Sequence, residues 1–131
     1  MQVKIDTKEK FTVVTPTGTA ITANIAAEIA SIGAGQLLKP VKNVILNLQE
    51  VTELEEKAGE TISLLQQSFY ENNASLVICC MQPAVEEALT NWEIMELLNT
   101  TPTESEAWDI VQMEEIEREL LDGDDVEFNK E

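Results

Sequence analysis

The segment "NVILNLQEVTELEEKAGETISLL", residues 43–65, decides the fold. Its first six residues are an almost continuous apolar run of strand length, which predicts a central strand covered on both faces. Its last part, from Gly59, places Ile62, Leu64, Leu65 and, further on, Phe69 on or near one helical stripe running to Asn72. Between them lies "ELEEKAG" (53–59), three glutamates and a lysine at a strand-to-helix turn. Such turns hold sites, and helix N-termini attract anions. This one reads as a working carboxylate site, the remains of one, or a capped helix start. Thr52 with Glu55 fits a capping box, and acids in a first turn complement the helix dipole by roughly 0.3–1 kcal/mol each.

The pattern repeats outward. "SLVICCM" (75–81) is a second buried strand, and Pro83 then opens the helix "PAVEEALTNW". "EIMELLNTTP" gives a helical turn and a short extended piece. The helix "TESEAWDIVQMEEIERELL" (103–121) starts at an N-cap Thr103 with Glu106 three residues on, and carries Trp108, Val111, Ile116 and Leu120 on one broad face. Upstream, "QVKIDT" alternates as a half-buried strand, and "KFTVVTP" (10–16) follows as its hairpin partner. "PTGT" (16–19) is a loop. From about Thr22 to Leu38, Ile25, Ile29, Ile32 and Leu37 recur at helical spacing, with Gly33 and Gly35 permitting close packing, until Pro40 ends the helix. Strands alternating with helices after an opening hairpin predict an α/β domain with parallel pairing. Residues 1–121 are expected to form one domain and residues 122–131 an acidic, flexible tail.

A chain of 131 residues, 44% hydrophobic and 5% aromatic, supports one aliphatic core. It has no apolar run approaching a membrane span and no signal-peptide core at its start. Cys79 and Cys80, adjacent in an apolar run, read as small buried hydrophobes and imply a reduced, cytoplasmic setting. The net charge is −17, and the first 50 residues hold five lysines against four acids, so the deficit falls in the remainder. That field disfavours nucleic acid and anionic membranes and suits basic protein partners.

Little in the sequence points to catalysis. There is no histidine, so the commonest general base and metal ligand is missing. "GAG" (33–35) sits inside a helical pattern rather than after a strand. Asp122, Asp124 and Asp125 do not complete a calcium loop. No cofactor or metal is expected, nor an enzyme.

Residues 3–120 resemble the STAS domain, the fold of bacterial anti-sigma factor antagonists and of the cytoplasmic tails of sulfate transporters. Family members show V-x-L-[DN]-L, then x-x-V-x-x-[IM]-D-S-S-G and an apolar helix, then an apolar strand running into P-A-V, and a helix running to a G-L-x-x-[IL] turn. "VILNL", "VTEL", "LVICCMQPAV" and "WEIMELL" stand in those places in order. The resemblance implies a mixed sheet of four to five strands with helices packed against it. In the family's antagonists the first Ser of D-S-S-G is phosphorylated by a partner anti-sigma kinase, which abolishes binding. By position, that tetrad falls on Glu55, Glu56, Lys57 and Ala58, and the Asp preceding the family's first helix falls near Ile21. None matches. Thr52, Thr61 and Ser63 are out of register. Glu56 is a fixed single charge where a phosphoserine would carry about −1.5 to −2, with Lys57 beside it.

The resemblance therefore implies a regulatory protein-interaction domain without the usual phosphoserine. Its protein partner would be an anti-sigma factor or regulatory kinase, met at Gly18, Ile21, Thr22, Glu55, Glu56, Lys57 and Ala58. Two other readings stay open. One is a small-molecule or nucleotide sensor at the C-terminal ends of the strands, where only Lys57 suits a phosphate. The other is an oligomerising module using Trp92 and the 103–121 helix. Monomer and homodimer are both compatible with the sequence.

Overall fold

The computed structural model describes residues 3–40 and 42–130, with side chains through residue 120. Two apolar runs form its centre: β4 (Val44–Asn47) and β6 (Leu76–Cys79), every residue of which is buried. They pair in parallel, Val44 with Leu76 through Asn47 with Cys79. β1 (Val3–Thr7) and β2 (Thr12–Pro16) make the antiparallel hairpin, and β2 joins β4 in parallel. β7 (Thr100–Thr101) completes the order β1-β2-β4-β6-β7. β1 lies at the sheet edge, where Val3 packs partly against the core and Ile5 is 47% exposed.

Alternation along the strands sorts their side chains onto two faces. Val14, Val44, Leu46, Leu76 and Ile78 pack with α1 (Ala23–Gln36), α2 (Glu56–Glu71) and α3 (Pro83–Asn91) in a large apolar cluster. Val13, Ile45, Val77 and Cys79 face the other way, onto α4 (Glu104–Lys130). The helices α1 and α2 touch closely at Gly33, where a Cβ would lie 2.9 Å from a Leu65 methyl. Gly35 meets open space, so only one of the two expected glycines serves packing. On α2, Ile62, Leu65 and Phe69 are buried, while Leu64 is exposed because it lies about 200° around the helix from Ile62. Asn72 caps the helix end, with its Nδ2 donating to the Ser68 carbonyl at 2.7 Å, and Asn73 takes φ 56°.

The α4 helix begins as its sequence implies. Thr103 Oγ1 accepts the Glu106 N–H at 3.1 Å and donates to the Glu106 carboxylate at 2.9 Å. Its expected apolar stripe is corrected by the structure. Ala107 and Val111 are buried and Trp108 stacks on Phe11 at 4.5 Å, but Ile116 and Leu120 are 54% and 58% exposed. Between Val111 and residue 120 the charged residues turned inward are Glu114, Glu115 and Arg118. They bind polar groups near the start of β4 and β6: Glu114 accepts from Ser75 at 2.5 Å and Asn99 at 3.1 Å, Glu115 accepts from Asn43 at 2.7 Å, and Arg118 donates to Ser75 at 3.2 Å. The division expected at residue 121 falls where side chains lie outside the described residues.

Candidate partner-binding site

Two segments that read as loops in the sequence meet beside the C-terminal end of β4. Ala20–Ile21 (β3) and Glu53–Leu54 (β5) pair in parallel as a separate two-stranded sheet. The Thr19 carbonyl gathers the Thr52 N–H at 2.7 Å, the Glu53 N–H at 3.0 Å and the Thr52 hydroxyl at 3.3 Å. The Glu55 N–H donates to the Ile21 carbonyl at 3.0 Å. These bonds keep the chain extended through residue 54, so α2 starts at Glu56 with Glu55 as its N-cap. The capping box expected at Thr52 and Glu55 does not form, because both groups are used elsewhere.

Glu55 instead caps the other helix. Its Oε1 accepts the Ala23 N–H at 2.8 Å, while Thr22 Oγ1 accepts the Ile25 N–H at 3.3 Å. The first turn of α1 contains no acid of its own. A carboxylate from the start of α2 thus meets the positive end of α1 and satisfies a donor that helix geometry leaves open. One residue starts α2 with its backbone and closes α1 with its side chain, and two helix N-termini are tied into a single surface.

On that surface Glu53, Glu55, Glu56 and Lys57 are exposed, and Gly18 and Thr22 are half-exposed. Ile21 and Ala58 are fully buried, so they support the surface from beneath. The site residues named from the sequence are therefore one neighbourhood in two layers. The nearby hydroxyls bond to backbone: Thr61 donates to the Lys57 carbonyl at 3.1 Å and Ser63 to the Glu60 carbonyl at 2.8 Å. Gly59 fits under the next helix, where a Cβ would lie 3.2 Å from Leu89 and from Ile94. Trp92 packs against the core on the same side.

The rest of this end of the sheet is tied together by side-chain hydrogen bonds. Asn47 accepts the Gln49 N–H at 2.9 Å and donates to Glu104 at 3.0 Å. Gln82 Nε2 donates to the Gln49 carbonyl at 2.8 Å, tying the start of α3 to the turn after β4. Burial pushes the Cys79 thiol well above its ordinary value, with Cys80 and the Glu104 carboxylate adding to the shift. A thiol held protonated is a poor nucleophile and metal ligand. A cavity of ≈ 410 Å³ beyond β6 and β7 is lined by Met81, Glu86, Thr100, Thr101 and Pro102, a lining that offers a carboxylate to any ligand. Among the described residues no cluster of three or more His, Cys, Asp or Glu side chains is placed to hold a metal ion. Nor is any helix among them long and apolar enough to cross a membrane.

The β3–β5 pair and the Glu55 cap are the features that sequence reasoning missed. A family model described as the STAS domain matches residues 2–107. Solved structures share the fold. An anti-sigma factor antagonist from Mycobacterium paratuberculosis aligns with a TM-score of 0.72 and 13% identity, covering 85% of this chain and 93% of that one. An anti-sigma-factor antagonist (STAS) domain protein from Planctomyces limnophilus gives 0.66 and 19%, covering 80% and 92%. The unphosphorylated form of the Bacillus anti-sigma factor antagonist SpoIIAA gives 0.68 and 13%, covering 85% and 96%. The sequence matches no curated protein.

Proposed function

The chain belongs to the STAS domain family, and on that footing we propose that it is a non-enzymatic protein-interaction domain that binds its partner through the Gly18–Thr22 and Glu53–Ala58 surface. The partner is a protein of the anti-sigma factor or regulatory-kinase kind, as the antagonists of like fold suggest. The observation that carries this reading is the bond from Ala23 N–H to Glu55, which joins the N-termini of α1 and α2 and leaves Glu56 and Lys57 projecting from the join. Exposed charges on helix starts that are bonded to each other suit recognition of a complementary protein surface.

In this reading binding is constitutive. Residues 55–58 contain no hydroxyl to accept a phosphate, and Glu56 supplies a permanent single charge at the first position of α2. Lys57 beside it keeps the local field from approaching that of a phosphoserine.

The test is capture of partners by the tagged chain and by its Glu56→Arg and Lys57→Glu variants, with melting temperatures measured alongside. We expect a partner held by the wild type and lost by Glu56→Arg at unchanged melting temperature. A partner retained equally by all three chains overturns the assigned surface. Phosphate incorporation from ATP and the captured partner, reversing binding, overturns the constitutive reading.

A further inference from the structure

We propose that the outward face of α4 is a second docking surface, which takes a cationic amphipathic helix of another protein. Met113, Ile116 and Leu120 are 58%, 54% and 58% exposed. At 100° per residue they fall within about 60° of arc, on the side of the helix opposite Ala107 and Val111. Three large apolar side chains in one solvent-facing row are unusual on a helix whose other face is already packed. The row continues into a groove of ≈ 300 Å³ between α4 and the β1–β2 hairpin, lined by Lys10, Trp108, Gln112, Glu115, Ile116 and Glu119. Trp108, held by its stack on Phe11, forms a rigid wall there, and a groove of this kind accepts one anchoring side chain. The family match ends at residue 107, so the row lies wholly beyond it.

Charge selects the occupant: on the groove itself Lys10 stands against Glu115 and Glu119. Exposed Glu106, Asp109, Glu117 and Glu119 flank the row. Between residues 104 and 120 the one cation is Arg118, and it is turned inward onto Ser75 and Asn43. A second copy of this chain would bring the same acids against these, whereas lysines and arginines flanking an apolar stripe pair with them. An amphipathic helix laid in such a groove buries its apolar positions while its basic flanks meet the acidic rim.

The probes are a short amphipathic helical peptide of Leu and Lys, and a peptide of equal charge with every Leu replaced by Ser. Binding to the full chain is followed by calorimetry and by amide shifts along α4. We expect the Leu/Lys peptide to bind at least about tenfold more tightly than the Ser/Lys peptide, the margin of one good anchor. The Met113→Ser/Ile116→Ser/Leu120→Ser chain should erase that preference, and Glu117→Lys/Glu119→Lys should weaken the Leu/Lys peptide about tenfold. Circular dichroism checks that both chains keep their helix content, and each variant tests the surface without the other. Equal binding of the two peptides overturns the proposal as charge attraction alone, and so does indifference to both variants. A homodimer in sedimentation that the triple variant dissociates assigns the face to self-association and overturns it as well.

Discussion

The two faces of the sheet are closed by different chemistry. On one face α1, α2 and α3 meet the strands through an apolar cluster that includes Phe69, Leu46, Ile78 and Leu89, all nearly inaccessible to water. On the other, the described part of α4 contributes Ala107 and Val111 to the buried set and then continues over Ser75, Asn99 and Asn43 through carboxylates and a guanidinium. Charge-assisted hydrogen bonds at partly exposed positions are weakened by solvent screening, whereas every buried Leu, Ile, Val or Phe adds roughly 1.5–3 kcal/mol. The first face holds the fold, and the second attaches a helix whose outer side stays open.

The largest test of this contrast is Phe69→Ala. Phe69 is fully buried, between α1 and α2 with Gly33 against its ring, and its removal should cost about 3–5 kcal/mol by urea denaturation. A loss near 1 kcal/mol would place the fold's strength elsewhere. A sharper version uses neighbours. Val14 points to the large cluster and Val13 to the α4 side, and both are buried. The same two methyls are deleted in Val14→Ala and Val13→Ala. We expect about 2 kcal/mol for the first and about 1 for the second, since the thinner layer relaxes more readily around the gap. Equal losses break the comparison.

Why some of this was legible in the sequence follows from range. β4 and β6 declare themselves because strands buried on both faces need unbroken apolar residues, and Val44–Leu46 and Leu76–Cys79 supply them. Pro83 and the Thr103–Glu106 pair are local signals and act locally. The misses are contests that local pattern does not record. β3 and β5 are two residues each and exist through pairing with each other. Thr52 looked like a cap because its competitor, the Thr19 carbonyl, lies 33 residues away. Ile116 and Leu120 looked buried because periodicity assumes that apolar residues face the core, and here polar partners on the sheet end claim Glu114 and Arg118 for the inner side. The candidate site was legible as a location and not as a mechanism of assembly, since Glu55 reaches Ala23 across 32 residues.

The α4 face also holds the group that should respond to pH. Cys79 is buried against α4, and its thiol ionises far less readily in the folded chain than in the unfolded one. A raised folded value means that the stabilising difference is intact below pH 9.0, the ordinary thiol value, and is lost above it as the unfolded chain releases its proton first. Stability should then fall by up to about 1.4 kcal/mol per pH unit. Cys79→Ala should flatten that limb relative to the wild type while shifting the whole curve by a constant. An unchanged slope between pH 9 and 10 would mean that α4 lifts away and lets water reach the thiol, which would weaken the α4 layer further than argued above.

The smallest effect belongs to the site itself. Glu55→Ala removes the acceptor of the Ala23 N–H and the negative charge it brings to the α1 N-terminus, while leaving Thr22 to cap Ile25. The bond is exposed, so the loss should be about 0.5–1 kcal/mol, in the range of a single helix cap. Glu55→Gln keeps an oxygen acceptor and should recover roughly half. If the proposed surface binds the partner, the consequence for binding should exceed the consequence for stability, because the same bond fixes how the two helix starts are presented. Hydrogen exchange decides between the two roles: faster exchange at Ala23 and Asn24, with the α2 amides unchanged, marks a local cap whose loss frees the surface without loosening the core. If exchange rises equally through α1 and α2, Glu55 is part of what holds the apolar face together, and the separation between a strong face and a presenting edge fails at this residue.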